Sequence, residues 1–200
     1  MPLKVFFPDV PPVPVPEGHR FPTGKYELLR AKVLADDILR ADELHASPLA
    51  ERHELALAHD GDYIDAMLAG RIAPDAMRRI GLPWSETLVR RSRATVGGAL
   101  AAARHALEAG FSGQLAGGTH HAHRDFGSGF CVFNDLAVTA DVLLAEGAVR
   151  RVAIVDLDVH QGDGNAAILA HDPRVFVLSV HGEKNFPFRK VPSTLDVPLA

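Results

Sequence analysis

Residues 152–160 read VAIVDLDVH, an apolar run that ends in two acids and a histidine at alternate positions. The period-2 geometry of a strand would send Asp156, Asp158 and His160 toward one side if the strand conformation persists. Carboxylate oxygens and an imidazole nitrogen suit a divalent metal such as zinc. The sequence GDG that follows is a tight turn that can bring Asp163 back to the same place. A solvated strand end is the alternative, but His160 and the glycine turn favour a metal site.

The stretch GGTHH (117–121) could supply proton transfer. Paired glycines allow unusual backbone dihedrals, and in a loop both His120 and His121 can reach one pocket. A histidine ionises near neutral pH and therefore suits acid–base work. A carboxylate behind each ring would fix its tautomer and raise its basicity, and Asp156 and Asp163 are available for this. Two surface histidines in a loop remain the alternative.

The segment FGSGFCVFN (126–134) lies between these two stretches. Glycines on either side of Phe130 could present its ring at the wall of a narrow slot, although a glycine-rich connector with a core phenylalanine is the alternative. Cys131 has apolar neighbours, so a buried and inert thiol is a better interpretation than a nucleophile.

The elements that must position these residues alternate between strands and helices. Continuous Val/Ile/Leu runs at 151–158 and 174–180 predict buried strands, and such strands between helices indicate a parallel α/β sheet. We predict further strands at 3–7 and in SGQLAGG, and helices at 25–39, 61–69, 86–109, 134–146 and in NAAILA. Ser85 is the predicted N-cap of the long helix and Gly110 its stop, and Gly97-Gly98 within it predicts close packing against a neighbour.

The bulk composition narrows the class of protein. The chain has 200 residues, of which 47% are hydrophobic, enough for one domain or part of a larger one. Its 21 basic and 25 acidic residues give a net charge of -4, and no basic run suggests nucleic-acid binding. A single cysteine excludes an internal disulfide. Prolines interrupt the N-terminal apolar stretch, so we expect neither signal peptide nor membrane span but a cytoplasmic protein.

The motifs GGTHHA, SGFCVFND and VDLDVHQGDG, in this order and spacing, closely resemble the histone deacetylase family. That family includes the bacterial acetoin-utilisation-type proteins and the acetylpolyamine amidohydrolases. GHRFPTGKY (18–26) and LAHDGDYIDAML (57–68) look like its early segments. The resemblance covers nearly the whole chain and is strongest to the small class IV branch and its bacterial relatives.

The resemblance implies a three-layer arginase–deacetylase fold, with a mainly parallel sheet between helices. It also implies hydrolysis of N-acyl amides, in an acetyl-lysine protein or peptide or in an acetylpolyamine, with one Zn²⁺ or Fe²⁺ ion. Carried over by position, Asp158 and His160 would be metal ligands. His121 would be the general base, oriented by Asp163, and His120 would support the developing charge, oriented by Asp156.

The resemblance implies two further sets of residues. Gly129 and Phe130 would line the tunnel for the acyl-lysine. A structural K⁺ or Na⁺ ion would be held, partly through backbone carbonyls, by Asp156, Asp158, His160, Ser179 and Val180.

Two expected parts of the family's site have no match in the sequence. The third metal ligand is an aspartate in a later motif, whereas Asp172 and Asp196 stand in different contexts. The tyrosine that donates to the oxyanion also comes later, whereas Tyr26 and Tyr63 lie in the early segments. We therefore expect residues 1–200 to be the N-terminal portion of the domain, with the C-terminal part of the fold absent. Two ligands bind zinc far less well than three, so we expect little hydrolysis by this chain alone.

Two other functions stay open at this point. One is a catalytically silent protein that binds acylated ligands on the same fold. The other is a ureohydrolase-like manganese enzyme, which ranks lower because such enzymes use paired metals whereas this chain has a single Asp-x-Asp-x-His. Acyl chain length and oligomeric state are left undecided by the sequence.

Overall fold

The computed structural model describes residues 2–200, in which parallel strands alternate with helices. The strands are β1 (Val5–Phe7), β2 (Leu44–Ala46), β3 (Gly113–Gln114), β4 (Val152–Asp156), β5 (Val175–Gly182) and β6 (Leu195–Leu199). The helices are α1 (Lys25–Ala35), α2 (Arg52–Ala58), α3 (Gly61–Leu68), α4 (Pro74–Ile80), α5 (Glu86–Ala109), α6 (Asp135–Ala145) and α7 (Asp163–Leu169), with a short 3₁₀ helix at Ala41–Glu43. None of the helices among residues 2–200 is long and apolar enough to cross a bilayer.

The strands pair in two three-stranded sheets, ordered β2-β1-β3 and β4-β5-β6, and every pairing is parallel. The predicted parallel α/β fold is therefore confirmed, although the strands among residues 2–200 form two sheets and not one continuous sheet. In the second sheet Asp156 at the end of β4 is in register with Ser179 of β5. The loops that carry the histidines and the acids follow the carboxyl ends of β3 and β4, and open α/β folds bind ligands at such strand ends.

The long helix α5 organises the packing and has the predicted bounds. The Ser85 side chain accepts a hydrogen bond from the backbone N–H of Leu88 at 3.0 Å, and the helix ends at Gly110, whose φ is 94°. A Cβ on Gly97 would collide with the backbone carbonyl of Pro48, so this glycine permits the close approach that the sequence predicted. The helix packs on α6, and buried residues of both helices join the main hydrophobic core.

Several boundaries differ from the prediction. Helix α1 ends at Ala35 and not at residue 39, because Asp37 adopts a φ of 53°, which lies outside the helical region. Strand β4 ends at Asp156, two residues before the predicted end. The elements that the sequence did not predict are short: β2 has three residues, β6 five, and α2 and α4 seven each.

Candidate functional site

The loops that follow β3 and β4 meet at one pocket of about 940 Å³. His120 and His121 from the first loop and Asp158 and His160 from the second loop line it. The pocket lies at the carboxyl ends of the strands, where the alternation of strands and helices leads one to expect a ligand site. The structure therefore brings together two stretches that are about forty residues apart in sequence.

The loop that carries the two histidines is fixed mainly by the buried carboxylate of Asp135, at the start of α6. That carboxylate accepts hydrogen bonds from the backbone N–H of Gly118 at 2.9 Å and of Thr119 at 2.8 Å, and from the Thr119 hydroxyl at 2.7 Å. Just beyond, the carbonyl of Ala122 accepts a bond from the side chain of Asn134 at 3.1 Å. These four bonds, at Gly118, Thr119 and Ala122, hold the backbone on both sides of the two histidines.

Each histidine of the pair has its own carboxylate. Nδ1 of His120 lies 2.6 Å from Oδ2 of Asp156, and Nδ1 of His121 lies 2.6 Å from Oδ1 of Asp163. All four side chains are buried, and the centroids of the two rings are 4.1 Å apart. Since a carboxylate accepts, Nδ1 of each ring carries the proton and Nε2 is left as the basic nitrogen of the neutral ring.

The pKa values of the two imidazoles are shifted in opposite directions. Burial disfavours the charged form of both rings. For His120 the hydrogen bond and charge of Asp156 outweigh burial and raise its pKa above the ordinary value. For His121 burial prevails, with the neighbouring His120 acting in the same direction, and its pKa falls below the ordinary value in spite of Asp163. His121 is thus the ring that stays neutral and able to accept a proton, whereas His120 is more readily cationic.

A third histidine, which the sequence did not single out, shares the carboxylate of Asp163. Nε2 of His123 lies 3.1 Å from Oδ2 of Asp163, and its ring stacks on Phe126 at 4.3 Å with an interplanar angle of 15°. Burial would raise the pKa of Asp163, but hydrogen bonds from His121 and then His123 lower it below its usual range. A carboxylate held from both sides is fixed in orientation, and it fixes His121 in turn.

Asp158 and His160 lie on a turn after β4, so the predicted strand alternation is wrong for them. The carboxylate of Asp156 accepts from the backbone N–H of Asp158 at 3.1 Å, and that of Asp158 accepts from the backbone N–H of His160 at 2.8 Å. Two successive turns of this kind end the strand, since aspartate side chains compete for backbone N–H groups. Asp156 is consequently buried, whereas the side chains of Asp158 and His160 are 51% and 38% exposed.

The donor types of Asp158 and His160 fit a divalent cation, but the number of donors is too small for a complete site. Oδ1 of Asp158 and Nδ1 of His160 are 3.0 Å apart. Two donors at tetrahedral zinc bond lengths are about 3.3 Å apart, so this spacing suits a shared ion. Catalytic zinc sites use three protein ligands, and residues 2–200 contain no group of three or more His, Cys, Asp or Glu side chains placed to hold a metal.

The residues predicted for a monovalent cation are only partly gathered. Asp156 and Ser179 are buried neighbours on β4 and β5, and Val180 follows on β5. The Ser179 hydroxyl lies 3.0 Å from Nδ1 of His181. Binding of K⁺ or Na⁺ by this set stays a prediction.

The wall of the pocket is aromatic. Gly129 and Phe130 line it as the sequence predicted, and Phe130 has a φ of 67°. A Cβ on Gly129 would lie 2.6 Å from Cδ2 of His121, so only glycine permits this approach. The sequence did not predict the contribution of Phe186, whose ring meets that of His121 edge-on at 4.9 Å.

Cys131 lies beside the pocket, but its thiol is buried, and burial raises its pKa to about 12. Such a thiol is protonated at neutral pH and a poor nucleophile. Tyr63, one of the two tyrosines, does not direct its hydroxyl into the pocket, because that hydroxyl donates to the carbonyl of Val132 at 2.8 Å.

His59, a buried histidine outside the pocket, lies between α2 and α3 and forms hydrogen bonds with the backbone at His123 and Asn134. Nδ1 of His59 lies 2.9 Å from the carbonyl oxygen of His123, and the backbone N–H of Asn134 donates to Nε2 at 2.8 Å. Because Nε2 must accept, Nδ1 carries the proton. Burial lowers the pKa of His59 to about 4, so the ring is neutral at physiological pH.

The chain matches the family model of the histone deacetylase domain over residues 19–196. An uncharacterized protein of Picosynechococcus sp. is 46% identical over 195 residues, which are 98% of this chain and 65% of that protein. The acetoin utilization protein AcuC of Staphylococcus aureus is 33% identical over 182 residues, which are 86% of this chain and 46% of that protein.

A solved structure of an HDAC homolog from Aquifex aeolicus has the same fold, with a TM-score of 0.77 at 24% identity. The match covers 98% of this chain and 59% of that one, so the chain spans about half to two thirds of the length of the proteins that it resembles. Because the family model extends over most of the chain and the fold agrees, this protein is a member of the histone deacetylase domain family.

Proposed function

We propose that this chain carries the proton-transfer residues of a deacylase, and that the protein hydrolyses N-acyl amides of lysine. The observation that supports this most strongly is the side-by-side arrangement of two imidazole–carboxylate pairs in the aromatic pocket. An amide is a poor electrophile and water a poor nucleophile, so hydrolysis needs both a base for the water and a donor for the leaving amine. Members of the family carry names that refer to deacetylation.

The role of each histidine is the one that the resemblance to the family implies, and it agrees with the direction of each pKa shift. His121 is neutral, its Nδ1–H is held by Asp163, and its Nε2 is free to take a proton from the attacking water. The same nitrogen then gives that proton to the departing amine. His120, whose pKa Asp156 raises, stabilises the negative charge that develops on the carbonyl oxygen. General base catalysis of this kind contributes about 10²–10⁴-fold to the rate.

Asp158 and His160 are the residues that would hold a divalent cation beside the histidines. When bound, such an ion, zinc or iron(II), would polarise the carbonyl and would lower the pKa of water from about 15.7 toward about 7.

The apolar walls fit an acylated aliphatic side chain. Gly129 lies against His121 and Phe186, and a Cβ added to it would lie 3.1 Å from the Phe186 ring. Phe130 packs on Phe21, with their ring centroids 5.1 Å apart. A flat amide and the methylene groups of lysine are well suited to a slot between glycine backbone and aromatic rings.

A second candidate is a catalytically silent protein that binds acylated ligands. The observation in its favour is that residues 2–200 provide two metal donors where catalytic zinc sites use three. Metal analysis of a version as long as the relatives, in which we expect a third ligand, separates the two: about one zinc ion per chain favours the enzyme, and none favours the silent binder.

Release of acetate from an acetyl-lysine peptide tests the proposal. In a version of the protein as long as its relatives, we expect the His121→Ala variant to lose at least a hundredfold in rate, since it lacks the base. His53→Ala, which removes an exposed histidine away from the pocket, is the matched control and should keep the activity. Turnover that survives in His121→Ala would reject the assigned role of His121.

A further inference from the structure

The lining of the pocket is rich in basic side chains. Four cationic side chains line the pocket, namely Arg20, Lys25, Arg78 and Arg79, and Asp158 is the only carboxylate among the described residues that do so. The chain as a whole has a net charge of -4, so this concentration of positive charge is local and opposite in sign to the rest of the molecule. A cleft lined by one sign of charge raises the local concentration of ligands of the other sign.

Among residues 2–200, three of these four cationic side chains have no carboxylate partner. Arg78 pairs with Asp75. Arg79 instead lies over the ring of Phe126 at 4.4 Å, and Lys25 lies 5.0 Å from the centroid of Phe21. Arg20, Lys25 and Arg79 form no ion pair within residues 2–200.

Aromatic faces position Lys25 and Arg79 without neutralising them. A cation over a ring keeps its full charge, and its N–H donors stay available at the edge. The stack that holds Arg79 continues inward, because Phe126 also stacks on His123, which bonds to Asp163. Phe126 and His123 therefore connect Arg79 by direct contacts to the carboxylate that bonds to His121.

We propose that the preferred substrate is an acyl-lysine within an acidic stretch of polypeptide, selected by Arg20, Lys25 and Arg79. This inference rests on the proposed deacylase function and adds the substrate class. Carboxylates on either side of the acyl-lysine would meet the three free cations. An acylated polyamine, whose remaining amines are cationic, would be repelled by the same groups.

The expected size of the preference is modest because the cations are exposed. A single exposed ion pair changes affinity by a few-fold at most, and three together give a preference of about tenfold. Screening shortens the reach of exposed charges, so the preference should shrink several-fold between 50 and 300 mM salt.

The test is a binding measurement that needs no turnover. Fluorescence anisotropy of dye-labelled heptapeptides with a central acetyl-lysine, flanked by Asp and Glu or by Lys, would be measured on the protein with and without added zinc. Unacetylated versions of both peptides and unlabelled acetylspermidine as a competitor complete the set. The variant is the triple substitution Arg20→Gln, Lys25→Gln and Arg79→Gln. Its matched control removes the same charge at exposed positions that do not line the pocket: Arg90→Gln, Arg150→Gln and Arg151→Gln.

We expect acetyl-dependent binding, with the acidic peptide about tenfold tighter than the basic one, and loss of that preference in the pocket variant but not in the control. Equal affinity for the two acetylated peptides, or tighter binding of acetylspermidine, would overturn the substrate class while leaving the deacylase function intact. Binding of the acidic peptide regardless of acetylation would overturn the assignment of these cations to substrate selection. Failure of every acetylated probe to bind better than its unacetylated version would overturn the proposed function itself.

Discussion

Replacing His59 with glutamine should remove a specific part of the pH dependence of folding. His59 is 1% exposed and joins the carbonyl of His123 to the backbone N–H of Asn134. Only the neutral ring with its proton on Nδ1 can make both bonds. Glutamine also offers one acceptor and one donor, but it does not titrate.

The magnitude follows from the difference in pKa between the two states. Burial lowers the pKa of His59 from 6.5 to about 4 in the folded protein. Between these values the unfolded chain binds the additional proton, so stability falls as the pH falls. A pH of 5.0 lies about 1.5 units below the pKa of 6.5 in the unfolded chain. Over this range each pH unit changes the free energy of unfolding by about 1.36 kcal/mol. Between pH 7.5 and 5.0, His59 therefore contributes a loss of about 2 kcal/mol.

Urea unfolding followed by circular dichroism at the two pH values measures this loss. The wild type should lose about 2 kcal/mol more than His59→Gln over the interval, because every other titrating group is common to both proteins. The constant cost of the substitution cancels in this comparison. His53→Gln changes an exposed histidine and should behave as the wild type. A difference between wild type and His59→Gln that does not vary with pH would refute the interpretation of His59 as a ring locked in its neutral form.

Three further predictions concern packing and tuning. Gly97→Ala should destabilise the protein by about 1–3 kcal/mol in urea unfolding, because the new Cβ meets the carbonyl of Pro48; Gly24→Ala, with open space around it, is the control, and equal midpoints would contradict the close packing. The Cys131 thiol, with a pKa raised to about 12 by burial, should resist a thiol reagent at pH 8 in the folded protein and react in 6 M urea; rapid labelling without denaturant would show that the thiol is accessible. His123→Ala should raise the pKa of His121, followed by NMR, because the carboxylate of Asp163 is then no longer shared; an unchanged or lower pKa would show that sharing has no effect.

The residues at the centre of the site were predicted by two separate arguments. The strand end and the glycine turn made Asp156 and Asp163 available as partners for the adjacent histidines, whereas only the family resemblance implied which acid pairs with which histidine. The structure brings these groups into contact at 2.6 Å in both pairs. The long helix was predictable because Ser85 and Gly110 are local signals for its two ends.

Other parts depend on contacts that the sequence does not show. Phe186 reaches His121 from the loop after β5, and His59 reaches the site from the loop before α3, so only the folded chain reveals them. Asp158 and His160 do not continue the strand as expected, because aspartate side chains can accept from backbone N–H groups and end a strand. The strand β2 and the helix α4 were not predicted, because they are too short and lack an apolar run distinct enough to show a hydrophobic period.

His123 is an intermediate case. It stands two residues after His121 in the same loop, and a third histidine so close to the candidate catalytic pair was a usable signal. Its bond to Asp163 was not predicted, because the sequence does not show that the second oxygen of this carboxylate is directed to His123.

We propose that His121 acts as the base and that His120 stabilises the developing charge. NMR of their ring nitrogens as a function of pH, in the metal-free chain, tests these roles most directly. His121 should titrate at a lower pH than His120, and both neutral rings should carry the proton on Nδ1, as their bonds to Asp163 and Asp156 require. Titration of His121 at or above the pH of His120, or a proton on Nε2 of the neutral His121 ring, would contradict its role as the base.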